Sequence, residues 1–229
     1  MDKGICHIAQ IPLRGEPRSS AEMVSQLLFG ETYSILRTEG EWSLIKMDYD
    51  GYEGWLSESS ISEYSSTSNR TVQSGLLLTD LNDIAGGTVI SSMGSELNIV
   101  DGMNHRLYVQ DLAKKFLGTP YLWGGRHFSG IDCSGFVQII YKVIGVALPR
   151  DASQQQKVGK PVPFDNLFVG DLVFFEKNER VMHVGMIIEK GKIIHSHGKV
   201  RIDTLTKDGI VNSDSGKKTH SYHSAKRLR

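Results

Sequence analysis

The join between Gly118-Thr-Pro-Tyr-Leu-Trp-Gly-Gly125 and Gly130-Ile-Asp-Cys-Ser-Gly-Phe136 constrains this chain more than any other stretch. It sets Cys133 where an irregular glycine-rich loop turns into an apolar helix. A helix start gathers unpaired backbone N–H groups and the positive end of the peptide dipoles. A thiol held there is expected to ionise more readily, and the thiolate is the attacking form. His183 follows in Met-His-Val-Gly and His195 in Ile-Ile-His-Ser-His. Cysteine first and histidine later is the order of a nucleophile and its general base. The competing reading of Cys133 is a structural cysteine. The Ser134-Gly135 helix entry and the glycines before it favour a presented thiol.

His183 opens an apolar strand, and its competing reading is a core histidine satisfied by backbone. Gly185 is expected to let a neighbouring backbone come close. His195 and His197 share one face of the next strand, so either is placed to hold the second ring nitrogen of the base. A metal site on His183, His195 and His197 is the rival arrangement. Cys133 already accounts for the pattern and no acidic ligand accompanies it. The expectation is therefore no metal and no organic cofactor.

With 229 residues the chain holds one large domain or two small ones. Its 26 basic and 26 acidic residues cancel, which gives no electrostatic case for nucleic acid or an anionic membrane. The Lys-Lys and Lys-Arg-Leu-Arg pieces near the C-terminus are expected to be solvated ends. The N-terminus lacks the apolar run of a signal peptide, so the chain reads as cytoplasmic; an exported form with its leader removed is the alternative. Cys6, in the alternating run Ile5-Cys-His-Ile-Ala-Gln-Ile, reads as a small structural apolar residue.

Residues 1–63 show short strands: Tyr33-Ser-Ile-Leu-Arg-Thr, Trp42-Ser-Leu-Ile-Lys-Met and Gly54-Trp-Leu-Ser, with Glu39-Gly40 and Asp50-Gly51 as turns. About five such strands make a small closed barrel. Ser19-Ser-Ala-Glu22 is expected to start a short helix through a capping box. Tyr64 to Asn69 reads as an exposed linker. Within 64–104, Gly75-Leu-Leu-Leu-Thr, Thr88-Val-Ile-Ser and Leu97-Asn-Ile-Val are strand candidates, either a reduced second barrel or an extended connector. From 105 to 229 the layout is α+β. Helices are expected over Leu107–Leu117 and Cys133–Gly145, followed by strands at Asp171, His183 and Lys192.

The pieces PYLWGG, DCSGFV, LPRDASQQ, VGDLVFF, HVGMII and IIHS, in that order, make residues 106–205 resemble the NlpC family of bacterial cell-wall cysteine peptidases. The resemblance implies a papain-like fold with Cys133 as nucleophile, His183 as base and His195 orienting it. RGEPRSSAEMVSQLLFGE and GYEGWL are similar to the bacterial SH3-type barrel of a subgroup that cleaves γ-D-glutamyl–diamino acid bonds. The implied fold class is α+β, a papain-like cysteine peptidase domain preceded by a small all-β SH3-type barrel. The implied substrate is a murein peptide with a free N-terminal L-Ala, and in the subgroup the barrel walls off one end of the cleft. An ammonium wants carboxylates and a phenol oxygen around it. Asp132 is the first candidate, with Glu16 and Tyr52 matching the subgroup's binding positions. Asp132 as a helix N-cap, Glu16 and Tyr52 as surface and Tyr121 as core are the competing readings. Tyr121 is expected near the thiolate, its hydroxyl aiding the oxyanion with the Cys133 N–H. Ser134 and the Arg150-Asp151-Ala152-Ser153 turn, with Ser153 in it, are further pocket candidates, and a monomer is expected. The alternatives are an amidase or acyltransferase on the same fold, or a wall-fragment binding module with an inactive site.

Overall fold

Short apolar–polar alternations between turn residues make the first part of the chain all-β. In this computed structural model residues 2–62, 71–72, 77–82, 88–97 and 109–228 are described. They fall into two units, Met1–His105 with Leu122–Gly130, and Arg106–Tyr121 with Ile131–Arg229.

In the first unit β1 (Lys3–Ile5), β2 (Gln10–Arg14), β3 (Met23–Leu28), β4 (Thr32–Glu39), β5 (Trp42–Met47) and β6 (Glu53–Ser57) form one sheet. Its order is β1-β4-β5-β6-β2-β3. Six strands stand where five were expected. Cys6, Ile11, Leu13, Leu27 and Ile45 are buried at its centre, so Cys6 is a core residue. The helix expected at Ser19–Glu22 does not form. Gly15 N donates to Glu22 O and Arg14 Nη1 to Ala21 O, which makes this stretch the turn between β2 and β3. The sheet ladder overrides the local capping signal.

Two short antiparallel pairs follow: β7 (Thr71–Val72) with β10 (Glu96–Leu97), and β8 (Leu77–Asn82) with β9 (Thr88–Ser92). The linker at 64–69 and the end of the last strand candidate, 98–100, lie outside the described residues.

The segment Leu122–Gly130, which includes part of the PYLWGG motif, belongs to the first unit. Arg126, fully buried, donates to both carboxylate oxygens of Glu31 at 2.8 and 2.9 Å and to Gln26 O at 2.6 Å. Gly124 has φ +75°, and a Cβ there would lie 2.3 Å from Met23 O. That contact requires glycine twice over, by conformation and by space. β11 (Arg126–His127) pairs with β12 (Gly130–Ile131).

In the second unit α1 (Val109–Lys114) covers the middle of the expected 107–117 helix, whose first two residues lie outside the described ones. α2 (Cys133–Val143) is buried from Cys133 through Lys142, as its wide apolar face predicts. α3 (Ala152–Gln155) is a single turn. The sheet contains β13 (Lys160–Pro161), β14 (Leu172–Lys177), β15 (Arg180–Glu189), β16 (Lys192–His197), β17 (Lys199–Thr206), β18 (Gly209–Val211) and β19 (Lys218–Arg227). The order β13-β19-β14-β15-β16-β17-β18, with β18 also pairing β19, closes it into a ring. Val173, Phe175, Ile187 and Ile193 build one core cluster of this sheet, and α2 packs on β15 and β16.

Lys217 and Lys218 are exposed as expected, but Lys226 and Arg227 are not solvated ends. β19 pairs β14, β13 and β18, and Arg227 donates to both oxygens of the buried Asp171 at 2.8 and 2.7 Å. Lys-Thr-His-Ser-Tyr-His-Ser-Ala-Lys-Arg carries too few apolar residues to announce a strand, and its neighbours supply the pairing.

Candidate active site

Cys133 is the first residue of α2. Asp132 is its N-cap: the side chain accepts from Gly135 N at 2.7 Å and from Ser134 Oγ at 3.2 Å. The same carboxylate is gripped by Arg150, with Nη2 2.5 Å from Oδ2 and Nη1 3.1 Å from Oδ1. Arg150 Nη1 also donates to Ser134 Oγ at 2.9 Å. Arg150 is 2% exposed and Asp132 5%, so the pair is a buried one beside Cys133. Ser134 belongs to this support, whereas Ser153 is exposed on α3.

The thiol is buried. Burial pushes it up to about 12, and the Asp132 carboxylate adds to the effect. The N–H groups of Val184 and Ser134 and the Arg150 charge pull the other way. The ready ionisation expected of a helix start is therefore not the resting state. Removal of water costs the thiolate more than the peptide dipoles return. The Val184 N–H contact sets the sulfur beside the part of β15 that carries His183. Tyr121, half-buried, is close enough that charge on Cys133 and Asp132 adds to burial in raising its phenol.

His183 lies inside β15, three residues after its start at Arg180. Its Nε2 is 2.8 Å from Nδ1 of His195 on β16. His195 Nε2 is 3.1 Å from Oδ2 of Asp203 on β17. The three residues follow one face across three adjacent strands, and His195 and Asp203 are fully buried. His197 does not take the place of His195 against His183; its ring stands 6.3 Å from that of His183 and nearly perpendicular to it. Gly185 makes the contact possible, though through side chains and not backbone. A Cβ there would lie 2.8 Å from Ile193 Cδ1 and 3.0 Å from His195 Cβ.

Burial, then the neighbouring histidines, holds His183 well below the usual histidine range. Burial lowers His195 as well, against the pull of Asp203. Burial opposes ionisation of Asp203. The hydrogen bonds from His195, Arg201 and Ser213 N outweigh it and hold that carboxyl well below the usual range. Arg201 forks onto Asp203 with both contacts at 2.9 Å.

Sequence reasoning missed Asp203 and His220, and it had Arg150 only as part of a turn near the pocket. Arg201 and Asp203 stand two apart in an alternating run, the one signal that a strand face carries buried charge. His220, on β19, stacks on His183 with centroids 4.1 Å apart. Glu16 and Tyr52 are in the other unit. Glu16 is exposed and paired with Arg18 at 3.0 Å, and Tyr52 packs against the barrel core.

A thiol at the start of a buried helix, against an antiparallel sheet carrying an imidazole pair, is the arrangement of a papain-like cysteine peptidase. The sequence pattern of the NlpC/P60 family matches residues 118–216, and that of the bacterial dipeptidyl-peptidase SH3 domain matches residues 13–61. The chain is 32% identical over 225 residues to a gamma-D-glutamyl-L-lysine dipeptidyl-peptidase of Bacillus subtilis, covering 80% of this chain and 76% of that protein. It is 40% identical over 109 residues to the protein of that name from Bacillus cereus, 45% of this chain and 33% of that one. A crystal structure of an NlpC/P60 family protein from Bacillus cereus shares the fold, with a TM-score of 0.78, 20% identity and 99% of each chain covered. The chain belongs to the NlpC/P60 family, and it carries the SH3-type domain of the bacterial dipeptidyl-peptidases.

Proposed function

We propose that this protein is a cysteine endopeptidase that cuts the γ-D-glutamyl–diamino acid bond of murein peptides with a free N-terminal L-Ala. The diamino acid is meso-diaminopimelate or L-Lys. The carrying observation is the chain of contacts His183–His195–Asp203 beside the Cys133 thiol. The names of the Bacillus relatives supply the substrate class.

His183 takes the thiol proton as the Cys133 sulfur attacks the γ-carbonyl carbon. The Cys133 N–H and the Tyr121 hydroxyl stabilise the oxyanion. His183 then passes the proton to the departing amine, the C–N bond breaks and a thioester remains. Water, deprotonated by His183, attacks the thioester, and the proton returns to sulfur. Since the resting thiol and imidazole are both neutral, proton transfer accompanies attack. The Asp132 carboxylate attracts the substrate ammonium, with part of its charge already met by Arg150.

The test is mass spectrometry of L-Ala-γ-D-Glu-diaminopimelate and its N-acetylated twin after incubation with the protein. Cleavage of the free-amine peptide alone, lost in Cys133→Ala, is the expected result. Cleavage of both would remove the amine requirement. Cleavage of neither would overturn the peptidase reading in favour of a binding module or an acyltransferase.

A further inference from the structure

Four histidine rings crowd one region of the second unit, more than the peptidase chemistry uses. His220 is stacked on His183 at an interplanar angle of 23°, and its centroid is 5.7 Å from that of His195. One ring nitrogen from each of His183, His195 and His220 lies within 4.8 Å of the other two. Three neutral imidazoles are a donor set for Zn²⁺, which binds them at about 2.0–2.1 Å and leaves a fourth position to water. Tetrahedral binding at that length sets nitrogens about 3.4 Å apart. Metal entry therefore replaces the His183–His195 hydrogen bond and opens that pair from 2.8 Å by about 0.6 Å, while a ring nitrogen of the partly buried His220 lies within 4.8 Å of both.

We propose that His183, His195 and His220 form a capture site for a single Zn²⁺ ion, and that capture switches the thiol chemistry off. The metal takes His183 Nε2, His195 Nδ1 and His220 Nε2. Thr219 Oγ1, 2.9 Å from His220 Nδ1, holds the other nitrogen of that ring. His195 directs its Nε2–H at Asp203, which Arg201 and Ser213 N fix in place. A carboxylate behind a ligating histidine orients the ring and strengthens it as a donor.

The inhibition follows from proton placement. With Zn²⁺ on Nε2, the one proton of His183 sits on Nδ1. Giving it to a leaving amine would leave a metal-bound imidazolate, so the ring no longer cycles a proton between sulfur and amine. The binding needs nothing from the proposed activity; only the inhibition rests on it.

The experiment is Zn²⁺ titration of the full chain against a competing chelator, with Co²⁺ absorption as a second readout. One ion per chain is expected, and a tetrahedral Co²⁺ spectrum without a sulfur charge-transfer band. His220→Gln weakens Zn²⁺ affinity by more than about tenfold, and Asp203→Asn by about 10–100-fold. Cys133→Ser binds as the unmodified chain does. No binding, equal affinity in His220→Gln, or loss of binding in Cys133→Ser would each overturn the site. Zn²⁺ binding by a chain that cleaves no murein peptide would leave the site standing and remove the peptidase reading instead.

Discussion

His183 Nε2 lies 2.8 Å from His195 Nδ1, and this contact assigns the protons of the site. Asp203 is ionised and accepts, so His195 carries its proton on Nε2. His195 Nδ1 is then an acceptor, and His183 Nε2 must be the donor. The lone pair of His183 Nδ1 is left to receive the thiol proton. These tautomers are assigned from the hydrogen-bond network.

Asp203→Asn breaks that assignment. A carboxamide can donate to His195 Nε2, which turns the ring into the other tautomer and points an N–H at His183. kcat is expected to fall on the order of 10²–10⁴-fold with little change in KM. Steady-state kinetics on the free-amine peptide checks it. A fall in KM-dependent terms alone would assign Asp203 to substrate binding.

Arg150→Ala leaves the Asp132 carboxylate buried beside the thiol without its guanidinium. Loss of one partner of a buried pair costs about 3–5 kcal/mol. Urea unfolding should show a loss of that order. The same change removes a positive charge that lowers the Cys133 pKa, so alkylation by iodoacetamide should slow.

Gly124→Ala places a methyl against Met23 O and forces φ +75° on a residue with a side chain. A destabilisation of about 1–3 kcal/mol is expected. Gly118→Ala is the control: its φ is +88°, but a Cβ there meets nothing within 4 Å. Thermal melts of the two variants separate steric overlap from backbone conformation, and equal losses would exclude the overlap.

Stability should fall as pH drops below 6.5. Burial depresses His127 to about 4, and burial followed by nearby charges depresses His220 to about 3, from an ordinary 6.5. The unfolded chain therefore binds protons that the folded chain refuses. Their contribution is full above 6.5 and is lost as pH falls toward 4 and 3. Melting temperatures at constant ionic strength should decline through that window, less steeply in His127→Gln. A flat profile would show that these rings are solvated.

The sequence by itself determined what is local. Asp-Cys-Ser-Gly before an apolar run is a capped helix start, and α2 begins at Cys133 with Asp132 as its cap. Apolar runs marked β14, β15 and β16 and put a histidine on each of β15 and β16. Turn residues and β-rich runs marked the barrel strands. Tertiary structure decided what depends on register and on water. Whether His195 or His197 meets His183 follows from how β16 lies against β15. Asp203 matters only because β17 pairs β16 with Ile193 opposite it. β19 is a strand only because β14 and β18 flank it, and Arg126 is buried only because Glu31 and Gln26 receive it. The thiol's protonation is of the same kind. A helix start speaks for ionisation, but the charge lives in the dielectric that surrounding residues create, and no spacing in the sequence carries that.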